Sequence, residues 1–201
     1  MGKGGVGVIT LVLGGARSGK STFAEKIAYQ KGRDMVSYLA TAEAVDQEMS
    51  KRIKKHQEAR PKTWQTIEEA YKLQDVFLSF PAGQVVLLDC LTIYISNILL
   101  KGNDNPSCHE EAIIVEELEG VINITREKNI DLIIVSNELG SGVVPVSKLG
   151  REFRDIAGRI NQLIASEADE VYLCIAGLPV EIKEIGMRNL NKFKIQGDEL
   201  I

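Results

Sequence analysis

Apolar residues in this chain gather in short continuous runs rather than spreading evenly. "GVITLVL" (residues 7–13), "DMVSYLA" (34–40), "VVLLD" (85–89) and "DLIIVS" (131–136) read as strands, and "EVYLCIA" (170–176) as a fifth. Runs without polar alternation, separated by helical stretches, point to strands buried on both faces of a parallel sheet. Between them, 44–59 carries Val45, Met49 and Ile53 at four-residue spacing with charges elsewhere, the pattern of a half-buried helix. Pro61 closes that stretch. Further helices are expected over 21–30, 69–80, 91–100, 109–128 and 148–168, with "KGNDNPS" (101–107) as a loop. The expectation is a doubly wound α/β fold: a mostly parallel central sheet with helices on both faces.

Length and composition narrow this picture. At 201 residues, with 44% apolar and 26% charged positions, the chain suits a single domain over 1–201, with 1–8 as a flexible lead-in and 187–201 as a tail. No apolar run approaches the ~20 residues of a membrane span, and the first residues lack a signal-peptide pattern, so the cytoplasm is the expected address. A net charge of −4 offers no general attraction to nucleic acid. Cys90, Cys108 and Cys174 form no paired motif and read as reduced thiols.

The segment "GGARSGKS", Gly14, Gly15, Ala16, Arg17, Ser18, Gly19, Lys20 and Ser21, fits G-x-x-x-x-G-K-S/T directly after a strand and before a helix. Its glycines let successive N–H groups converge on phosphates at a helix N-terminus. Lys20 then supplies a charge to the β and γ phosphates, and the Ser21 hydroxyl a ligand to Mg²⁺. The fold class becomes an α/β P-loop NTPase of the RecA-like kind. A second glycine-rich piece, "GKGGVG", resembles a deviant phosphate loop. However, Val8 and Ile9 stand where the lysine and hydroxyl should be, and it precedes the strand. Asp89 ends a strand at the carboxyl edge and is the candidate second group of the magnesium site, a helix N-cap being the alternative. Of two histidines, His109 sits at a helix start beside Glu110 and Glu111. His56 lies among Lys54, Lys55 and Arg60, where cations favour neutral, nucleophilic imidazole; an exposed helix-end residue is the bland reading.

Six ordered segments extend the reading: "GGARSGKS", "YLATAEAVDQEM", "RIKKHQEARPKTWQTIEE", "LLDCLTIYISNIL", "VSNELGSGVVPVSKLGREFRDIAGRINQ" and "AGLPVEIK". Over about residues 9–183 the chain resembles the bifunctional adenosylcobinamide kinase and adenosylcobinamide-phosphate guanylyltransferase family of cobalamin biosynthesis. The resemblance implies phosphorylation of adenosylcobinamide by ATP or GTP, then transfer of GMP from GTP to that phosphate through a guanylylated His56. It implies nucleotide contacts from Ala40, Thr41 and Ala42, from Gln57, Glu58, Ala59 and Arg60, and from Glu68, whose carboxylate suits the guanine N–H and amine groups. It further implies Mg²⁺, a corrinoid substrate and a homo-oligomer, with a trimer suggested. Lys54 and Lys55 stand where the family shows more variety, including another histidine, so no second histidine is at hand as a helper. Glu138 is read as orienting water or a metal, or as part of a turn. Arg151, Arg154 and Arg159 are read as phosphate ligands or as partners of Glu152 and Asp155. Two alternatives remain at this point: a monofunctional P-loop kinase of another small metabolite, and a nucleotide-dependent switch or assembly ATPase.

Overall fold

The computed structural model describes residues 7–43, 61–101 and 108–193. Among the described residues, seven strands form one sheet: β1 (Ile9–Gly14), β2 (Val36–Ala40), β3 (Gln65–Glu68), β4 (Val85–Asp89), β5 (Asp131–Asn137), β6 (Glu170–Ile175) and β7 (Leu178–Glu181). They lie in the order β3-β2-β4-β5-β1-β6-β7. Every neighbouring pair is parallel except β6 with β7. The helices are α1 (Lys20–Gly32), α2 (Leu73–Ser79), α3 (Leu91–Lys101), α4 (Cys108–Glu127), α5 (Lys148–Glu167) and α6 (Lys183–Phe193).

The two-residue period of the strands sorts their side chains into two cores. Leu11, Leu39, Val86, Leu88, Leu132 and Ile134 face α2 to α5. Val12, Tyr38, Leu87, Ile133 and Val135 face α1 and Trp64. Helices therefore cover both faces, as the uninterrupted apolar runs require. On its buried face α1 presents Lys20, Ala24 and Ala28 at four-residue spacing, so small side chains seat it against the sheet with the lysine at its head. Trp64 completes that face, donating its indole N–H to the Arg33 carbonyl at 2.8 Å.

Two strands escape the sequence pattern. β3 ("QTIE") has mostly exposed side chains, and β7 ("LPVE") carries a proline; both are sheet edges, where a short polar or proline-bearing strand is tolerated. The helix expected over 69–80 begins only at Leu73. The Glu69 carboxylate accepts from the N–H groups of Tyr71 at 2.7 Å and Lys72 at 2.9 Å, which holds those residues in a turn. Gly7 and Val8, placed in the expected lead-in, are instead tied to the sheet: Arg126 donates to the Gly7 carbonyl and Val8 bonds Asp131 and Leu132. The expected tail also begins too early: α6 runs to Phe193, tied to the end of α5 by the Lys183 ammonium on the carbonyls of Ala165, Ser166 and Ala168. Of the loop expected over 101–107, Lys101 instead ends α3; the helix expected over 44–59 and the rest of that loop lie outside the described residues.

Candidate functional site

β1 ends at Gly14 and α1 begins at Lys20, so "GGARSGKS" bridges a strand end and a helix N-terminus. Its path is fixed internally and from one side. Ser18 N–H reaches back to the Gly15 carbonyl at 3.3 Å, and the Ser18 carbonyl accepts from Gly177 N–H at 2.9 Å. A Cβ at Gly14 would stand 2.4 Å from Ser18 Oγ and 2.8 Å from the Cys174 carbonyl, so the strand must end in glycine here. Gly19 has φ 90° at the helix N-cap, a left-handed conformation that a side chain disfavours. Gly15, Ala16 and Arg17 are exposed, whereas Ser18 and Lys20 are buried. Lys20 curls over the loop, its ammonium donating to the Gly15 carbonyl at 3.1 Å. The result is a short arc of backbone at the positive end of α1, with one ammonium folded across it.

Asp89 ends β4 at the same edge. In register it aligns with Val135 of β5, which aligns with Val12 of β1, so one strand, about 10 Å of lateral spacing, separates it from the loop's own strand. The Tyr38 hydroxyl donates to Asp89 Oδ2 at 2.7 Å. Thr41, fully buried, binds the next residue: its Oγ1 donates to the Cys90 carbonyl at 2.8 Å and accepts from Cys90 N–H at 3.0 Å. Burial, with the Asp89 charge adding to it, pushes the Cys90 thiol up to about 12, which makes it an inert packing group. Among the described residues, no three His, Cys, Asp or Glu side chains cluster as a metal site.

Beside this edge the ends of β2 and β3 open a cleft of about 440 Å³, walled by Ala40, Ala42, Glu43, Glu68, Glu69 and Tyr71. Burial works to raise the Glu69 carboxyl, but the N–H groups of Lys72, Tyr71 and Ala70 outweigh it and hold the group below its ordinary value. Glu69 is thus a capping carboxylate, whereas Glu68, exposed at the end of β3, lines the cleft.

Residues 10–182 match the family model described as cobinamide kinase / cobinamide phosphate guanyltransferase. The chain belongs to this family. It is similar to the bifunctional adenosylcobalamin biosynthesis protein CobU of Escherichia coli, 38% identical over 183 residues that cover 88% of this chain and 100% of the relative. It is also similar to the bifunctional adenosylcobalamin biosynthesis protein CobP of Pseudomonas aeruginosa, 42% identical over 174 residues that cover 86% of this chain and 96% of the relative. Among solved structures, the P4 protein from bacteriophage phi6 in complex with ADP matches with a TM-score of 0.45 and 16% identity, over 86% of this chain and 52% of that one.

The family match brackets every candidate site residue, and the fold gathers only some of them. Gly14 to Ser21, Ala40, Thr41, Ala42, Glu68 and Asp89 share the carboxyl edge. His56, Gln57, Glu58, Ala59 and Arg60 lie outside the described residues. The Thr41 side chain is buried and bonded to the Cys90 backbone. Glu138 closes a turn, its Oε1 accepting from Gly140 N–H at 2.6 Å and Ser141 N–H at 3.2 Å. Of the arginines, Arg151 donates to the Pro145 and Val146 carbonyls, Arg154 pairs with Asp155 at 3.4 Å, and Arg159 pairs with Glu111 of α4 at 2.6 Å. Glu152 takes Lys148 instead of an arginine.

Sequence reasoning missed three features of this edge: Tyr38 behind Asp89, the Gly177 turn against the phosphate loop, and a buried polar chain. In that chain Ser136 Oγ contacts Thr92 Oγ1 at 3.2 Å and donates to Asn161 Oδ1 at 2.7 Å. Asn161 Nδ2 donates to the Asn137 carbonyl, and Asn137 N–H donates to Thr92 Oγ1. Glycine after a strand could have flagged Gly177; nothing local marks the others, whose partners are 24 or more residues distant.

Proposed function

We propose that this protein phosphorylates adenosylcobinamide with ATP or GTP, then transfers GMP from GTP to the new phosphate, giving adenosyl-GDP-cobinamide. The observation that carries the reading is the phosphate loop, built between β1 and α1 in a chain whose residues 10–182 match the kinase and guanyltransferase family. The converging N–H groups and Lys20 bind and orient the triphosphate; in the kinase step the corrinoid hydroxyl attacks the γ-phosphorus, the bridge to the β-phosphate breaks, the nucleoside diphosphate leaves and the hydroxyl proton passes to solvent. For the second step, an imidazole nitrogen of His56 attacks the α-phosphorus of GTP. The N–P bond forms, the bridge to the β-phosphate breaks, and pyrophosphate leaves. An oxygen of the cobinamide phosphate then displaces the histidine, releasing it for another cycle. Glu68 is proposed to read guanine in the cleft, beside Ala40 and Ala42.

The oxygen donors Ser21 and Asp89 suit Mg²⁺, a hard cation that takes one or two protein oxygens and completes its shell with substrate phosphates and water. When bound it supplies charge neutralisation on the phosphates. A homo-oligomer and a cytoplasmic address belong to the same proposal. Among the described residues no helix is long and apolar enough to cross a membrane.

The test is incubation with GTP and Mg²⁺, labelled in turn at the α and γ phosphates, on wild type and His56→Ala. An acid-labile adduct retaining only the α label, absent from a folded His56→Ala protein, is expected. An adduct undiminished in His56→Ala, or none in wild type with pyrophosphate removed, overturns the covalent route.

A further inference from the structure

The conformation of Asp89 is set from β2. Its backbone is fixed from outside: Thr41 N–H reaches the Asp89 carbonyl at 3.3 Å, and the Thr41 hydroxyl both gives to and takes from Cys90. Thr41 is itself held, its carbonyl accepting from Asn97 Nδ2 at 2.8 Å. What this clamp leaves undetermined is the side-chain rotation of Asp89, and there the Tyr38 hydroxyl donates to Oδ2 at 2.7 Å. Tyr38 is only 2% exposed, its ring packed in the core that contains Ala24 and Ala28 of α1 and Leu87 of β4. A ring so enclosed cannot swing, so its hydroxyl is a fixed point. Asp89, half-buried at the sheet edge, is therefore tethered at one oxygen by a rigid donor.

We propose that Tyr38 is a positioning residue for the magnesium site: it locks the Asp89 carboxylate so that the remaining oxygen is held ready for the metal or a metal-bound water. This rests on the reading of Asp89 as a magnesium-site group. Hydrogen-bonded partners behind a ligand fix its orientation, and their loss commonly costs 10–100-fold in metal affinity.

The deciding comparison is Tyr38→Phe, which keeps the ring and its packing and deletes one hydrogen bond. Calorimetric titration with the α,β-methylene analogue of GTP, whose α–β bridge cannot be cut, is run once with excess Mg²⁺ and once with EDTA. The ratio of the two affinities is the metal-linked gain. In Tyr38→Phe the gain is expected to fall about 10-fold, with the EDTA affinity and the melting temperature close to wild type. In Asp89→Asn it should be lost, and the double variant should lose no more than Asp89→Asn alone. An unchanged gain in Tyr38→Phe, with Asp89→Asn defective, overturns the positioning role and leaves the Asp89 reading standing. Equal losses with and without metal also overturn it, since they mark a merely structural bond. A full gain in Asp89→Asn removes Asp89 from the metal site, and the proposal with it.

Discussion

Lys20 shows how much one side chain depends on its neighbours. Its stem lies on the same face of α1 as Ala24 and Ala28, and only 9% of the residue is exposed, yet its ammonium emerges over the loop at Gly15. Burying the stem limits the arc the charge can sweep, so the ammonium stays with the loop backbone that would bind phosphate. Lys20→Ala removes that charge from the developing transition state. Kinase turnover is expected to fall by roughly 10²–10³-fold, with an unchanged circular dichroism spectrum, measured in a coupled nucleotide assay. Asp89 is legible as a strand-ending carboxylate, whereas its hydrogen bond from Tyr38, 51 residues away, is not, because only sheet pairing brings β2 beside β4.

Among the elements, the helices on the α2–α5 face are joined by polar contacts as well as by apolar packing. The Thr92, Ser136 and Asn161 chain links α3, β5 and α5 at the level where β5 gives way to the loop after Asn137. Buried and mutually satisfied, it fixes where that loop departs. Farther out, Arg159 of α5 grips both oxygens of Glu111 of α4, at 2.6 and 2.7 Å. That hydrogen bond from Arg159 holds the Glu111 carboxyl below its ordinary value of 4.5. A depressed carboxyl contributes stability that is fully present above the unfolded value and lost as pH falls through the folded one. Arg159→Ala should accordingly be less stable than wild type near neutrality, with the difference shrinking once the pH falls below 4.5. Arg159 is 55% exposed, so solvent screening limits the effect to under about 1 kcal/mol. Urea midpoints for both proteins at neutral pH and at about pH 3.5 check it.

For the whole molecule, the phosphate loop, Asp89 and the Glu68 cleft all sit at one edge of one sheet, so nucleotide bound there couples to the fold. At 100 times its dissociation constant a ligand adds about 2.7 kcal/mol. For a chain of this size that is roughly 5–10 °C in melting temperature. GTP with Mg²⁺ should produce this shift in scanning calorimetry of wild type and much less of it in Lys20→Ala at the same concentration. The apolar runs by themselves determined five strands of the sheet: four are buried on both faces and need no distant partner to announce themselves, and the half-buried β6 keeps the same apolar run. "GGARSGKS" likewise determined the phosphate loop, because its chemistry is local: backbone N–H groups, one lysine and one hydroxyl within eight residues. Tertiary structure decided what depends on pairing. β3 and β7 became strands only because an existing edge offered them hydrogen bonds, and Glu69 stopped a helix that periodicity favoured. Gly177 came to rest on the phosphate loop through a β6–β7 hairpin more than 150 residues downstream. Local composition encodes what a segment can form, and the contacts that choose among those forms appear only when distant segments meet.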